Sequence, residues 1–308
     1  MPRKVRVATT SFHRRTLPTV ADNLELATSL VVAAAADRAD LVCLPETFLE
    51  VGMPRHQVPV VESIPGQVFD TLAALAARHE IWIVAPYSVA DASGAIKNTA
   101  VVIGRHGELV ERYEKIHPTI KECEQRAVAP GTAIAVVETD FGRMGLAICY
   151  DIGWPSQWAA LAERGAEVVI WPSAYDGGFP LQVYAWLHSY YVVSAVHTEH
   201  ARIIDITGQV LTSTSRWHRL ASATIDLEKE LFHIDDQVEK LFQVQQALGH
   251  RVEVRALTEE HIFTVESHDP AWPVARIKAD FGLESFHDYH ARAESVQNRH
   301  REMVRSGA

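Results

Sequence analysis

The sequence lacks any apolar run close to the roughly 20 residues that a helix needs to cross a bilayer. It also lacks an excess of positive charge, because 39 acidic residues against 29 basic ones leave a formal net charge of −10. Nucleic acids and anionic membrane surfaces are bound by cationic surfaces, so this balance argues against both as partners. The N-terminal residues pass directly into a strand pattern without the apolar region of a signal peptide. We therefore expect a cytoplasmic protein.

Cysteine is scarce, and the sequence contains only Cys43, Cys123 and Cys149. An odd number without framework spacing predicts free thiols in a reducing compartment. The sequence contains no CxxC or HExxH pattern, and its 16 histidines are scattered. Local spacing therefore gives a zinc site little support, and we predict no metal site.

The chain is long and apolar enough, with 308 residues of which 47% are hydrophobic, to bury a large core. Residues 5–10 alternate like a strand, residues 19–36 repeat apolar side chains at helical spacing, and residues 41–44 form a short apolar run. Strand, helix and strand with short connections make a βαβ unit, which predicts an α/β fold with a partly parallel sheet.

The same pattern continues to about residue 230. Helices are predicted at 68–79, 156–164 and 181–191, and strands at 81–85, 98–103, 109–113, 133–138, 143–148, 167–171, 192–197, 202–206, 209–211 and 220–225. Residues 231–308 differ, with a helix at 235–248, extended segments at 252–257 and 262–266, and a charged helix at 284–304. We predict a main domain over 1–230 and a C-terminal extension over 231–308 that packs on the same domain or on a partner subunit.

Cys149 follows a short buried strand and precedes a sharp turn into a helix that has Pro155 at its first position and Gly165 after its end. Backbone N–H groups near such a turn favour a thiolate and can hold a developing oxyanion. Taken alone, a single cysteine in this setting is also typical of a small buried core thiol.

Two charged residues also stand directly after predicted strands. Glu46 follows residues 41–45, and Lys115 follows residues 109–114. Side chains just beyond strand ends often face the crevice in which α/β sheets hold ligands. Alone, Glu46 is more typical of an acid in a solvated loop, and Lys115 of an ordinary lysine on an edge strand. The placement of Glu46, Lys115 and Cys149 after three strands favours a catalytic site that contains all three.

Three segments in this order resemble the nitrilase superfamily of carbon–nitrogen hydrolases: Leu44–Phe48 with Gly52, Tyr113–His117, and Ile148–Asp151 with Pro155. The resemblance covers about residues 4–230. It implies a four-layer α-β-β-α sandwich that dimerises through one layer, and a Glu46-Lys115-Cys149 triad. No metal or organic cofactor is implied.

The triad suits cleavage of a carbon–nitrogen bond. Cys149 attacks an amide or nitrile carbon, Glu46 acts as general base and then general acid, and Lys115 stabilises the oxyanion. The family often carries a second glutamate after the lysine. Glu122 is the candidate, with Glu124 as the alternative, although both also fit acids in a loop.

Tyr150-Asp151 follows the cysteine, where true nitrilases of the superfamily commonly have Trp-Glu. The resemblance therefore implies an amide or N-carbamoyl substrate, with nitrile hydrolysis as the alternative. Ser156 departs from the ω-amidase pattern, which commonly has Glu there. Candidate substrate-binding residues are Tyr150, Tyr175 and His117. Tyr150 and Tyr175, with Trp171, could line an acyl pocket, although aromatic residues near buried strands are more often core residues. His117 fits a pocket residue and a packing histidine equally, and Arg126 is a candidate for binding a substrate carboxylate.

Three other functions remain open on sequence grounds. If an amine replaced water as the acceptor of the acyl group, the protein would be a transferase. If the protein were inactive, it would serve as a scaffold for oligomeric assembly. A scaffold has no need of all three triad residues, however. Papain-like chemistry requires a Cys–His pair, which the strand-end setting of Glu46 and Lys115 fits poorly.

Overall fold

The structure, a computed structural model, describes residues 3–13, 16–54 and 59–306. Its first sheet contains seven strands: β1 (Lys4–Thr10), β2 (Leu41–Cys43), β3 (Val61–Glu62), β4 (Trp82–Ala90), β5 (Ile96–Ile103), β6 (Leu109–Glu114) and β13 (Leu220–Asp226). The strand order is β13-β1-β2-β4-β5-β6, with β3 paired to β4. β1, β2 and β4 are parallel neighbours, while β5 and β6 continue the sheet antiparallel.

The second sheet contains six strands: β7 (Val136–Glu138), β8 (Arg143–Leu146), β9 (Val168–Ser173), β10 (Tyr191–Val196), β11 (Arg202–Ile204) and β12 (Val210–Ser213). They follow the order β12-β11-β10-β9-β8-β7. The central strands β8, β9 and β10 are parallel, and antiparallel strands form both edges. The parallel strands of both sheets therefore bring their carboxyl ends to common edges.

Helices cover the outer face of each sheet. α1 (Val20–Ala36) and α2 (Gln67–His79) share a core with the first sheet, in which Val31 and Leu72 contact the cluster that includes Ile83. α4 (Pro155–Glu163) and α5 (Phe179–His188) share a second core with the second sheet. α3 (Ile120–Arg126) is a short helix after β6 with no buried residue.

The two sheets pack on each other through their remaining faces. The Phe12 N–H donates to the Val196 carbonyl at 3.1 Å, which joins the end of β1 to β10. Trp82 on β4 donates from Nε1 to Asp140 Oδ1 at 2.6 Å, and its ring contacts Phe141 edge-on in the β7–β8 turn. The order of layers is helix, sheet, sheet, helix, which confirms the predicted α-β-β-α sandwich.

The chain divides into two compact units, of which Val5–Ile225 is the larger. Among the residues described, the second unit combines residues 226–306 with Arg3 and Lys4. It contains β14 (Glu230–His233), β15 (Val252–Leu257), β16 (Ile262–Ser267), α6 (Val238–Leu248), α7 (Val274–Phe281) and α8 (Phe286–Ser306). Its strands form an antiparallel sheet in the order β14-β16-β15 over a separate core that includes Phe232, Val244 and Phe263.

Most predicted elements are confirmed to within a few residues at their ends. The sequence pattern did not predict β3, β14, α3 and α7, all of which are short. The helix predicted at residues 181–191 ends earlier, because Ser189 takes a left-handed conformation with φ 54° and Tyr191 enters β10. No helix among the residues described has the length and apolar character that would let it span a membrane.

Candidate active site

Glu46, Lys115 and Cys149 lie beyond the ends of three strands and are all buried. Glu46 follows β2, Lys115 follows β6, and Cys149 follows β8. Only 4% of Glu46, 1% of Lys115 and 6% of Cys149 is exposed. Because charged groups are rarely buried without partners, the structure must supply counter-charges and hydrogen bonds here.

Lys115 is held between two carboxylates. Its Nζ lies 2.8 Å from Glu46 Oε1 and 2.8 Å from Glu122 Oε2, with Glu122 Oε1 at 3.1 Å. The Lys115 backbone is fixed as well, since its N–H donates to the Asn98 carbonyl and its own carbonyl accepts from Gly131, both at 2.8 Å. The ammonium group therefore has a fixed position and two anionic neighbours.

Glu122 reaches Lys115 because it stands at the start of α3. Thr119 precedes this helix, and its side chain accepts from the Glu122 N–H, while Glu122 Oε2 accepts from the Thr119 N–H at 2.7 Å. This reciprocal pair is a capping box, which satisfies two N–H groups that would otherwise lack partners. The reading of Glu122 as a loop acid is wrong. Glu124 is exposed on the same helix, and Glu122 is the acid that contacts Lys115.

Asn98 joins the two carboxylates and was not recognised as a site residue from sequence. Its Nδ2 donates to Glu46 Oε1 at 2.8 Å and to Glu122 Oε1 at 3.0 Å. Ionised carboxylates only accept hydrogen bonds, so this contact fixes the orientation of the amide. Asn98 is buried on β5, next to β6. The sequence placed it on a strand near Lys115 but gave no sign that it contacts both acids.

The ion pairs decide how the buried groups ionise. Burial favours the neutral form of Lys115, but Glu46 and the other neighbouring negative groups outweigh it and raise the pKa of Lys115. Burial of Glu122 likewise opposes ionisation, but Lys115 and the hydrogen bonds from Thr119 and Asn98 outweigh it and lower the pKa of Glu122. Lys115 and Glu122 are therefore charged at neutral pH.

The Cys149 thiol is protonated in the free protein. Burial raises its pKa first and the charge of Glu46 raises it further, against the opposing effects of Lys115 and of hydrogen bonds from Ser173 and Ala174. The expectation that this turn favours a thiolate is therefore wrong. The cause is that the thiol is buried beside the Glu46 carboxylate. Ser173, a buried residue at the end of β9, was not predicted to contact the thiol.

Two residues at the site adopt backbone conformations that non-glycine residues normally avoid. Cys149 has φ 47° at the start of a short 3₁₀ turn, and Thr47, next to Glu46, has φ 40°. Non-glycine residues with positive φ are uncommon and concentrate at functional sites. The Cys149 carbonyl is fixed by Trp171, whose Nε1 donates to it at 3.0 Å. Trp171 itself is fully buried in the core, which fits its structural reading.

Asp151 ties the cysteine turn to the lysine segment. Its fully buried carboxylate accepts from Tyr113 Oη at 2.6 Å, from the His117 N–H at 2.9 Å and from the Ile148 N–H at 2.8 Å. Tyr113 and His117 flank Lys115, and Ile148 precedes Cys149. One carboxylate thus holds both segments in register. The Tyr-Asp sequence was read only as a sign of substrate type.

The remaining predicted binding residues lie in two aromatic groups, since His117 and Tyr150 contact Trp154 and Tyr175 contacts Trp171. The His117 ring stacks on Trp154 at 3.7 Å between centroids, and the exposed Tyr150 contacts Trp154 edge-on at 5.2 Å. Tyr175 is partly exposed, and burial together with the nearby Cys149 and Glu46 raises its pKa to about 12.

Arg126 has a partner inside the protein. Its guanidinium donates to the Glu50 carboxylate. That pair neutralises the positive charge with which Arg126 would bind a substrate carboxylate.

Comparisons with known proteins identify relatives of the chain. The chain is 27% identical over 273 residues to omega-amidase NIT2 of Mus musculus, covering 81% of this chain and 94% of the relative. It is 29% identical over 264 residues to the deaminated glutathione amidase of Synechocystis, covering 76% and 94%. Both relatives are amidases by name.

Solved structures share the fold. Saccharomyces cerevisiae Nit3, a member of branch 10 of the nitrilase superfamily, matches with a TM-score of 0.64 at 22% identity, covering 80% of this chain and 95% of that one. A mutant of an amidase of the nitrilase superfamily from Nesterenkonia matches with a TM-score of 0.63 at 23% identity, covering 72% and 90%. The family model for carbon-nitrogen hydrolases matches residues 6–230. The predicted resemblance is confirmed, and the chain belongs to the carbon-nitrogen hydrolase family.

Proposed function

We propose that the protein is an amidase that cleaves the carbon–nitrogen bond of a small linear amide or N-carbamoyl compound through a thioester on Cys149. The observation that carries the proposal is the buried Lys115 held between Glu46 and Glu122, with the charges of Lys115 and Glu46 both acting on the Cys149 thiol. This arrangement provides a nucleophile, a base beside it, and a fixed positive charge.

The first half-reaction forms the thioester. Glu46 takes the thiol proton as the Cys149 sulfur attacks the amide carbon, and Lys115 stabilises the oxyanion together with the backbone N–H of Tyr150. Glu46 then gives the proton to the leaving nitrogen, so that ammonia or an amine departs. In the second half-reaction Glu46 takes a proton from water, which attacks the thioester. The acid product leaves, and the proton returns to the sulfur.

The raised pKa of Cys149 requires that Glu46 take the proton during attack, because little thiolate exists beforehand at neutral pH. Glu122 plays a different part. Its carboxylate engages Lys115 with both oxygens and is also bound by Asn98 and the α3 capping box. We assign it to fixing Lys115, so that Glu46 is left to carry protons.

Amides rather than nitriles are the proposed substrates, because Tyr150-Asp151 follows the nucleophile and the two relatives described above are amidases. Their names direct the choice of compounds toward ω-amides and amides derived from peptides. The partly exposed Tyr150 and Tyr175, with His117, are proposed to contact the acyl group.

A substrate panel tests the proposal. Purified protein is incubated with ω-amides, N-carbamoyl compounds, aliphatic amides and the matching nitriles, and ammonia release is measured. We expect release from at least one amide-type compound, its loss in Cys149→Ala with an unchanged circular dichroism spectrum, and an acyl adduct on Cys149 by intact-mass and peptide mass spectrometry. Near-normal turnover by Cys149→Ala, or an adduct on Cys43 or Cys123, would overturn the mechanism. Ammonia release from nitriles alone would overturn the substrate class.

We further infer a homodimer in the cytoplasm. The exposed apolar side chains of Phe179 and Leu187 on α5 support self-association. The three free cysteines, one of them the proposed nucleophile, support a reducing compartment.

A further inference from the structure

A second group of side chains with ligand chemistry lies in the C-terminal unit, outside the residues that the family model matches. His233 is the last residue of β14, Asp235 comes two residues later, and His261 stands in the turn before β16. One ligand atom from each side chain lies within 4.8 Å of the other two. β14 and β16 are antiparallel neighbours with His233 opposite Ile262, so the sheet itself brings the two histidines together.

The contacts between these side chains leave suitable donor atoms. His261 Nε2 is 2.7 Å from Asp235 Oδ1, and His233 Nδ1 is 3.8 Å from Asp235 Oδ2. His233 Nδ1 accepts the Asp235 N–H at 3.1 Å, so this nitrogen carries no proton, and a metal bound there would replace that hydrogen bond. A cation between the three side chains would replace the hydrogen that His261 and Asp235 share. Because His261 and Asp235 are exposed, both can adjust to bring three ligands to about 2.0–2.2 Å.

Tyr289 on α8 supports two of the three side chains. Its ring stacks on His233 with 4.0 Å between centroids, and its hydroxyl donates to Asp235 Oδ2 at 2.9 Å. Support of this kind commonly orients the ligands of metal sites. It restrains the His233 ring and leaves Asp235 Oδ1 as the oxygen that faces His261.

A further imidazole, that of His290, stands beside His233. Its ring centroid is 5.7 Å from that of His233. Its Nδ1 lies 2.8 Å from the Phe286 carbonyl, and since a carbonyl only accepts, Nδ1 must carry the proton. The neutral ring therefore has its lone pair on Nε2, which is the form that binds metals.

We propose that His233, Asp235 and His261 bind one divalent transition-metal ion, and that this ion links β14, the turn before β16 and, through Tyr289, α8. Two imidazoles and one carboxylate suit Zn²⁺ and its neighbours in the periodic table, whereas Mg²⁺ and Ca²⁺ prefer oxygen ligands alone. Sequence reasoning missed the group because His261 is distant in sequence from the other two residues and no local spacing motif contains all three.

Isothermal titration of the tag-free full chain with ZnCl₂ and with MgCl₂ tests the proposal. The chain carries Cys123→Ser, because the exposed Cys123 thiol can itself bind zinc. We expect one Zn²⁺ per chain and no Mg²⁺ binding. His261→Gln should weaken zinc binding at least ten-fold. His106→Gln, which changes an exposed histidine in the β5–β6 turn, should leave the affinity unchanged.

A second variant and a second readout protect the test against misfolding. Asp235→Asn should also weaken zinc binding at least ten-fold, with an unchanged circular dichroism spectrum for both variants. Zinc should raise the Tm of the parent chain and of His106→Gln, but not that of His261→Gln or Asp235→Asn. Absence of zinc binding to the parent chain would overturn the proposal. Zinc binding of equal affinity in His261→Gln and Asp235→Asn would do so as well, since the ion would then be bound elsewhere.

Discussion

The protonation of Cys149 links the active site to stability. Its pKa is raised in the folded protein by burial and by Glu46, whereas an unfolded cysteine titrates at about 8.5. The folded state therefore holds its proton at a pH at which the unfolded chain has lost it. The sign follows: stability is fully present below about pH 8.5 and is lost as pH rises from there toward the folded pKa.

We expect wild type to lose stability relative to Cys149→Ser between pH 8 and pH 10. Above the unfolded pKa, the free energy of unfolding of wild type should fall relative to that of Cys149→Ser by up to about 1.4 kcal/mol per pH unit. Urea unfolding of both proteins at pH 7, 8.5 and 10 measures it. Cys123→Ser removes an exposed thiol and serves as the matched control. Parallel pH profiles for wild type and Cys149→Ser would contradict the raised pKa.

Asp151 acts by positioning the segments that carry Lys115 and Cys149, and not by contact with substrate. In Asp151→Asn the side chain keeps its shape, but its NH₂ group must face one of the donors from Tyr113, His117 or Ile148. An unsatisfied buried donor costs about 1–3 kcal/mol. Because these donors flank Lys115 and Cys149, we expect kcat to fall at least ten-fold while KM changes less than three-fold.

Asp205→Asn is the matched control for that variant. Asp205 is also buried, and its carboxylate accepts from Thr207 in the β11–β12 turn. We expect a lower Tm in both variants but a loss of kcat only in Asp151→Asn. A similar drop in kcat for both variants would show that Asp151 has a general structural role. A rise in KM alone for Asp151→Asn would show that Asp151 acts in substrate binding.

The three triad residues could be recognised from sequence because an acid, a lysine and a cysteine each stand just beyond the end of a buried strand. Reactive side chains are uncommon at such positions. Sequence reasoning did not identify Asn98 or Ser173, which are common residues inside ordinary strands. Their roles depend on contacts across strands or across the site, with Glu46 and Glu122 for Asn98 and with Cys149 for Ser173. Such contacts have no periodic signal.

The short helix α3 turns a capping interaction into part of the site. Glu122 forms the capping box with Thr119 and pairs with Lys115 through the same carboxylate. Thr119→Ala removes the side-chain cap, which typically costs about 1 kcal/mol. We expect a several-fold decrease in kcat/KM, because the start of α3 and with it Glu122 become less ordered.

The chain contains a matched control at α1. Thr19 and Asp22 form the same capping box there. Thr19→Ala should lower the Tm by a similar amount and leave kcat/KM unchanged. Thermal unfolding and steady-state kinetics of both variants measure the two effects. Equal kcat/KM for Thr119→Ala and wild type would show that the α3 cap does not support the site.

Among the secondary-structure elements, the long helices and buried strands were predictable from periodicity and turn residues. α3 and α7 have only seven and eight residues, and so short a segment shows little of the helical repeat. Residues 120–126 also carry charged side chains with no buried residue among them. The capping pattern Thr119-x-x-Glu122 was the signal available for α3, and it was not used.

At the scale of the whole molecule, α5 and β12 leave apolar side chains uncovered. Phe179 is 72% exposed and Leu187 47%, and the two lie eight residues apart on one side of α5. Val210 and Leu211 on β12 are exposed as well, and Gln182 on α5 contacts the β11–β12 turn through the Gly208 carbonyl. Large exposed apolar residues in neighbouring elements are typical of a subunit interface.

We therefore expect sedimentation velocity at micromolar concentration to show a dimer or a larger assembly. The double variant Phe179→Glu and Leu187→Glu should shift it toward monomer, because a specific interface of about 800 Å² per partner does not tolerate two buried charges. Val110→Glu alters an exposed valine on β6, away from α5, and should leave the assembly intact. A wild-type protein that stays monomeric would contradict the proposed dimer. A dimer that persists in the double variant would move its interface away from α5, with α8 as the next element to delete.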